Sequence, residues 1–183
     1  MLGNISSYLA EQGCKLGMDE LIYIAKQGSL TRPEDLYTKI YSSTSYLTMS
    51  SLKTNSYISG VENSFVKLFP ELDTGCHISV PTVLEEDYYQ REIATKQYNA
   101  QSIDNEISQI ANCIYQYNQE NDCNVKYFNM HFATDYVRRK EEKILKTSFD
   151  LANNRTKDAL SRKQLILSKI GDYFSQYIIA TSV

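Results

Sequence analysis

Ile93, Ala100, Ile107 and Ile114 recur every seven residues, and Ile103, Ile110 and Tyr117 form a second row beside them. Lys96, Gln97, Asp104, Asn105, Glu106 and Gln109 fill the positions between. Seven residues are close to two helical turns, so the pattern lays one apolar stripe along a rod. Nothing else in the chain restricts its folding as strongly. The spacing predicts one uninterrupted amphipathic helix over about 85–119, roughly 50 Å long at about 1.5 Å per residue.

Other segments fit beside such a rod. Thr31-Arg-Pro-Glu34 reads as a capping box with Pro33 in the first turn, opening a helix that carries Leu36, Ile40 and Leu47 to about Asn55. Its inward face, in KIYSSTSYLTMSS, is made of small hydroxyl residues. Ile58, Val61, Phe65, Leu68, Phe69 and Leu72 give a shorter second helix, which Pro70 stops, and DTGCHISVPTV reads as loop. After the turn ENDCN, with Asp122 as a cap, Val125, Phe128, Phe132, Val137, Ile144 and Leu151 predict a fourth helix. A last one near 161–178 turns Ile166, Ile170, Phe174 and Tyr177 inward. No segment of strand period competes with these. The expectation is an all-α fold, a four-helix bundle with a short fifth C-terminal helix over residues 31–183. Residues 1–30 read as a lead-in whose short helix, DELIYIAKQ, ends at Gly28.

Composition narrows the classes. The 183 residues carry 19 basic and 22 acidic side chains, a net charge of −3, which argues against binding nucleic acid by phosphate neutralisation. Seven glycines and three prolines leave little room for a turn-rich β-sandwich. Cys14, Cys76, Cys113 and Cys123 are scattered without C-x-x-C spacing, so no zinc knuckle or dithiol motif is present. No apolar run reaches the ~18–20 residues of a membrane span, and the N-terminus has no basic region or apolar core of a signal peptide. A cytoplasmic setting is expected, with a secretory one open if a signal segment lies upstream. Fifteen tyrosines suit half-buried core edges or subunit contacts, where a ring is buried while its hydroxyl keeps a partner.

IYSSTSYLTMS, FVKLF, VP…EEDYY, END and IGDYFSQYI, taken in that order over about residues 33–179, resemble ferritin subunits of the light or insect type. The resemblance implies a ferritin-like bundle, iron as a mineral cargo, and self-association or partnership with catalytic ferritin subunits in a 24-mer type shell. It does not carry over the iron chemistry. A di-iron centre needs inward carboxylates and a Glu-x-x-His pair, yet neither His77 nor His131 completes one, and Lys39 stands at the first ligand position. Tyr46 matches a tyrosine beside that centre but has lost its carboxylates. Glu71 alone marks the nucleation face, and the second helix ends several turns early. Glu71 with Cys76 and His77, or Glu141 with Glu142, is weighed as a metal site against an ordinary loop and a solvated face, and the latter is preferred in each case. The sequence thus names no catalytic, cofactor-binding or metal residue. It predicts a non-enzymatic storage subunit that helps hold ferric iron, or alternatively a structural or chaperone-like protein on a ferritin scaffold.

Overall fold

The protein is an α/β structure built on one seven-stranded sheet, and the computed structural model describes residues 3–142 and 157–182. The all-α bundle is therefore overturned. Chain order runs α1 (Gly3–Lys15), β1 (Glu20–Ser29), β2 (Ile40–Tyr41), β3 (Ser45–Ser50), β4 (Lys53–Ile58), α2 (Ser64–Leu68) and β5 (Cys76–Ser79). Then come α3 (Tyr88–Tyr98), β6 (Ala100–Asp104), α4 (Ile107–Asn121), β7 (Lys126–Tyr136) and α5 (Lys157–Thr181). Hydrogen-bonded neighbours follow the order β2-β7-β1-β6-β5-β3-β4. The expected lead-in helix DELIYIAKQ is β1, paired in parallel with β7 along its whole length and antiparallel with the tip of β6.

The seven-residue repeat misled because it crosses a helix, a strand and a second helix in phase. Asn99 takes a left-handed conformation (φ 52°) and stops α3, Ala100–Asp104 extends as β6, and α4 begins at Ile107. Ile107, Ile110 and Ile114 do face inward from a helix, whereas Ala100 and Ile103 do so from a strand. The expected fourth helix is overturned over Lys126–Tyr136, which is β7, whereas Ile144 and Leu151 lie outside the described residues. In β7, Phe128, Met130 and Phe132 pack on α5, while Tyr127, Asn129 and His131 are buried on the opposite face. Phe128-Asn129-Met130-His131-Phe132 alternates apolar and polar as a strand does, but Phe128 and Phe132 also stand four apart and so fit a helical stripe. The last helix is present, with Ile166, Ile170, Tyr173 and Tyr177 buried.

The small-residue stretch 39–51 is a seam. β2 pairs with β7 at one end of the strand order and β3 with β5 near the other, with only residues 42–44 between them. Flat, those strands would stand about 24 Å apart at ~4.8 Å per strand. Three linking residues reach about 14 Å at most, so the sheet curls until its ends meet. Side chains at the seam must be small and must bond inward. Ser42 Oγ donates to Asn129 O (2.6 Å), Ser43 N donates to Asn129 Oδ1 (2.9 Å), and Tyr46 Oη donates to Ser43 O (2.6 Å). Beyond the seam, β3 and β4 form a hairpin whose turn residues Ser51 and Leu52 both have positive φ, matching the twist of the strands.

Helices cover the curled sheet. α1 and α4 pack on Tyr46 and Tyr127, α3 covers Leu47, Ile78 and Ile103, and α5 lies over the β7 aromatics. The tyrosines behave as their chemistry requires, with Tyr173 Oη donating to Glu71 (2.5 Å) and Tyr177 Oη to Glu20 (2.8 Å).

Candidate active site

Two groups of ionisable side chains stand out, and they differ in what they can do. The first lies inside the curled sheet. His77 on β5 reaches Ser102 Oγ through Nδ1 (2.7 Å) and Asp104 Oδ1 through Nε2 (2.8 Å). Asp104 also accepts from Ser79 Oγ (2.6 Å) and from the amides of Glu106 and Ile107 (3.1 Å each). Ser79 in turn accepts from the Ser108 amide (2.7 Å). A serine, a histidine and an aspartate in one hydrogen-bonded line have the composition of a nucleophilic triad. Here Ser102 is 1% exposed and His77 is fully buried, so no substrate carbonyl reaches the hydroxyl. The line instead ties the ends of β5 and β6 to the start of α4. His131, from β7, stands with its ring 5.3 Å from that of His77 across the interior. Neither of its nitrogens has a partner, and burial, aided by His77, holds its pKa well below the usual imidazole value. It is therefore a neutral residue at physiological pH.

The second group lies where β7 and β1 end. The register slips between Gln27 and Gly28, where Ala133 faces Gln27 and Asp135 faces Gly28, leaving Thr134 as an extra residue. Such a bulge turns the following side chains to the other face. Asp135 is consequently brought over Gly28, and a Cβ there would stand 3.0 Å from Asp135 Oδ2, 3.1 Å from an Ile103 methyl and 3.5 Å from a Val137 methyl. Asp135 is exposed as a residue, yet protein surrounds much of its carboxyl. That burial raises its pKa, against the bond from Thr134.

Glu86, at the end of the short turn after β5, completes the pair. Burial pushes its carboxyl up to about 8, with Asp135, Asp104 and Glu106 adding to the rise and Asn105 opposing it. Glu106, half-buried before α4, is raised too, by burial first and then by Asp104. The carboxyls of Glu86 and Asp135 are thus both raised, Glu86 to about 8, so Glu86 holds its proton near neutral pH. Gln27, one residue from the bulge, is 3% exposed and neither amide atom has a partner.

The residues weighed from sequence lie elsewhere. Lys39 is bound to Asp73 (2.6 Å), and Tyr46 is in the seam. Cys76 and His77 are buried in β5, far from acting with Glu71, which holds Tyr173. Glu142 accepts from Tyr136 Oη and the Arg139 amide, both at 2.8 Å. Among the described residues no group of three metal-ligating side chains comes together. Glu86 and Asp135 were not singled out from sequence. The available signal was an acid at the end of HFATD, and it counts only once that run is known to be a strand.

No family model matches the chain. Solved structures do. A Helicobacter pylori 5'-methylthioadenosine/S-adenosyl homocysteine nucleosidase, an aspartate-to-asparagine mutant with 5'-methylthioadenosine in its active site, superposes with a TM-score of 0.61 at 14% identity, covering 93% of this chain and 76% of that one. Futalosine hydrolase of the same organism gives 0.61 at 13% identity over 93% and 75%. The Arabidopsis thaliana 5'-methylthioadenosine nucleosidase gives 0.61 at 12% identity over 91% and 67%. The fold is nucleosidase-like. In sequence, the chain is 31% identical over 175 residues to oxidoreductase cns1 of Cordyceps militaris, a match that takes in 91% of this chain and 22% of that protein. The chain thus spans about a fifth of the curated relative's length.

These likenesses correct the expectations drawn from the ferritin resemblance. A mixed α/β sheet shared with nucleosidases leaves no scaffold for an iron-storage subunit, a chaperone-like ferritin shell or a 24-mer assembly. Iron entered only through that resemblance. The expectation of a non-enzyme falls as well, since the similar structures are nucleosidases and the relative is named an oxidoreductase. No helix among the described residues is long and apolar enough to cross a membrane.

Proposed function

We propose that the chain binds a purine nucleoside or a close analogue at the ends of β1 and β7 and cleaves its N-glycosidic bond with water. The observation that carries this reading is Asp135, held over Gly28 by the bulge, together with Glu86, whose carboxyl feels the Asp135 charge and is raised to about 8. Breaking a bond between a sugar carbon and a base nitrogen develops negative charge on the base and positive charge on the sugar. A carboxylic acid supplies a proton to the departing base, and a carboxylate stabilises the cationic sugar or takes a proton from attacking water. Glu86 fits the first role and Asp135 the second. The nucleosidase-like fold supports the substrate class.

The test is incubation with adenosine, inosine and 5'-methylthioadenosine, followed by chromatographic measurement of free base. Release of adenine or hypoxanthine by the wild type, lost in Asp135→Asn, is the expected result. A second reading follows from the 31% identity to a protein named an oxidoreductase, in which this chain would serve a hydride-transfer enzyme. The sequence has no G-x-G-x-x-G run of the kind that cradles a dinucleotide. Nucleoside-dependent oxidation of NADPH or NADH without base release would favour that second reading.

A further inference from the structure

We propose that the cavity between α3 and the segment following β7 binds a phosphate group, carried either by a phosphorylated nucleoside or by inorganic phosphate. The cavity holds about 330 Å³ and is lined by four cations, Arg91, Lys96, Arg139 and Lys140, and two carboxylates, Glu92 and Glu141, with Tyr88 and Thr95. Four cations against two carboxylates leave an excess of two positive charges, on a molecule whose net charge is −3.

Arg91 makes this a built site rather than a patch of surface charge. It is 6% exposed, yet a guanidinium stays charged wherever it is buried. Nη2 donates to the Leu30 carbonyl (2.6 Å), and the group lies 5.8 Å from the centre of the Tyr136 ring. Among the described residues the Nε–H is buried without a partner. Leaving a donor of a buried cation unmade costs more than leaving a neutral one. Of the nearby carboxylates, Glu92 pairs with Lys96, and Glu142 accepts from Tyr136 Oη and the Arg139 amide and also feels the Arg91 charge, while Glu141 lines the cavity. The start of α3 offers nothing either, because Asp87 already accepts from the amides of Tyr89 and Gln90.

The Arg91 guanidinium with the exposed cations Arg139 and Lys140 matches a tetrahedral dianion with several oxygens better than a planar carboxylate, while the Thr95 hydroxyl already donates to the Arg91 carbonyl (2.8 Å). The volume exceeds one phosphate and leaves room for an attached sugar. Arg91 follows Glu86 by five residues, and its guanidinium stands over the ring of Tyr136, the residue after Asp135. The link to a nucleoside rests on the proposed function, whereas the anion site stands on Arg91 itself.

Calorimetric titration with inorganic phosphate, adenosine 5'-monophosphate and adenosine, at matched ionic strength, tests the proposal. The wild type is expected to bind phosphate or the monophosphate saturably. The double variant Arg139→Ala/Lys140→Ala and the single variant Arg91→Lys should each weaken that binding about tenfold, the equivalent of one charge-assisted bond, while leaving circular dichroism unchanged. Tighter binding of the monophosphate than of either adenosine or phosphate identifies an esterified ligand. Binding of phosphate irrespective of adenosine identifies the free ion, and would uphold the site even if no nucleoside binds. No saturable binding of either phosphate compound, or binding indifferent to both sets of variants, overturns it. Should Arg91→Lys fail to fold, the exposed Arg139/Lys140 pair decides the matter.

Discussion

The closed line of Ser102, His77 and Asp104 and the open pair of Glu86 and Asp135 use the same side-chain chemistry to opposite ends. In the closed line nearly every lone pair and proton is spoken for, and Asp104 alone accepts from two side chains and two amides. In the open pair burial raises both carboxyls, and the charge of Asp135 adds to the rise of Glu86, so their charge is poorly compensated. Satisfied polar groups hold a fold together, whereas poorly compensated ones facing solvent are available for chemistry. A triad of familiar composition is therefore a strut here, and two unremarkable acids at strand ends are the working site.

Substitutions should separate the two regions sharply. Asp104→Ala strands His77 Nε2, Ser79 Oγ and two amides at once, and is expected to cost about 3–5 kcal/mol of stability. Urea unfolding measures it, and a loss below about 1 kcal/mol would show that the line is not the strut described. Asp135→Asn should do the reverse. Base release is expected to drop by ~10²–10⁴, with stability within about 1 kcal/mol of wild type. Equal damage to folding and turnover would erase the distinction between the regions.

Glu86→Gln sharpens the comparison through pH. The folded carboxyl keeps its proton up to about 8, whereas the unfolded one loses it near 4.5. Between those values the folded state binds the extra proton, so this residue's contribution to stability declines as pH rises from about 4.5 to 8. Glu86→Gln should flatten that decline in thermal unfolding, and base release by the wild type should fall above pH 8 as the acid is lost. A decline of the same steepness in both proteins would exclude Glu86 as its source. The smallest effect is expected of Gly28→Ala. Its methyl group would sit 3.0 Å from Asp135 Oδ2 and 3.1 Å from Ile103, displacing the carboxylate by tenths of an ångström. Turnover should fall severalfold at a stability cost of about 1 kcal/mol, read from parallel rate and melting measurements.

The sequence was legible where secondary structure is set by one amphipathic face. The C-terminal helix and the second half of the repeat, Ile107 to Ile114, are helical as their spacing says. It was illegible where a strand also fits a helical spacing. LIYIA in β1 is apolar throughout, and Phe128 and Phe132 in β7 stand four apart, although Phe128-Asn129-Met130-His131-Phe132 does alternate between apolar and polar. IYSSTS looked like a tightly packed helix because its residues are small, and they are small because two sheet ends meet there. The site was hidden for the same reason. Glu86 and Asp135 are separated by 49 positions in the chain, and only the curl of the sheet and the bulge at Thr134 bring them together. The ferritin resemblance drew on patches that this fold distributes among strands, turns and helices.

The coupling of Glu86 to Asp135 is best measured by following the side-chain carboxyl of ¹³C-labelled glutamate by NMR across a pH titration, in the wild type and in Asp135→Asn. The structure predicts a midpoint for Glu86 near 8 in the wild type, moving downward when the neighbouring charge is removed. A midpoint near the ordinary value of 4.5, or one unchanged by Asp135→Asn, would contradict the paired site on which the proposed chemistry stands.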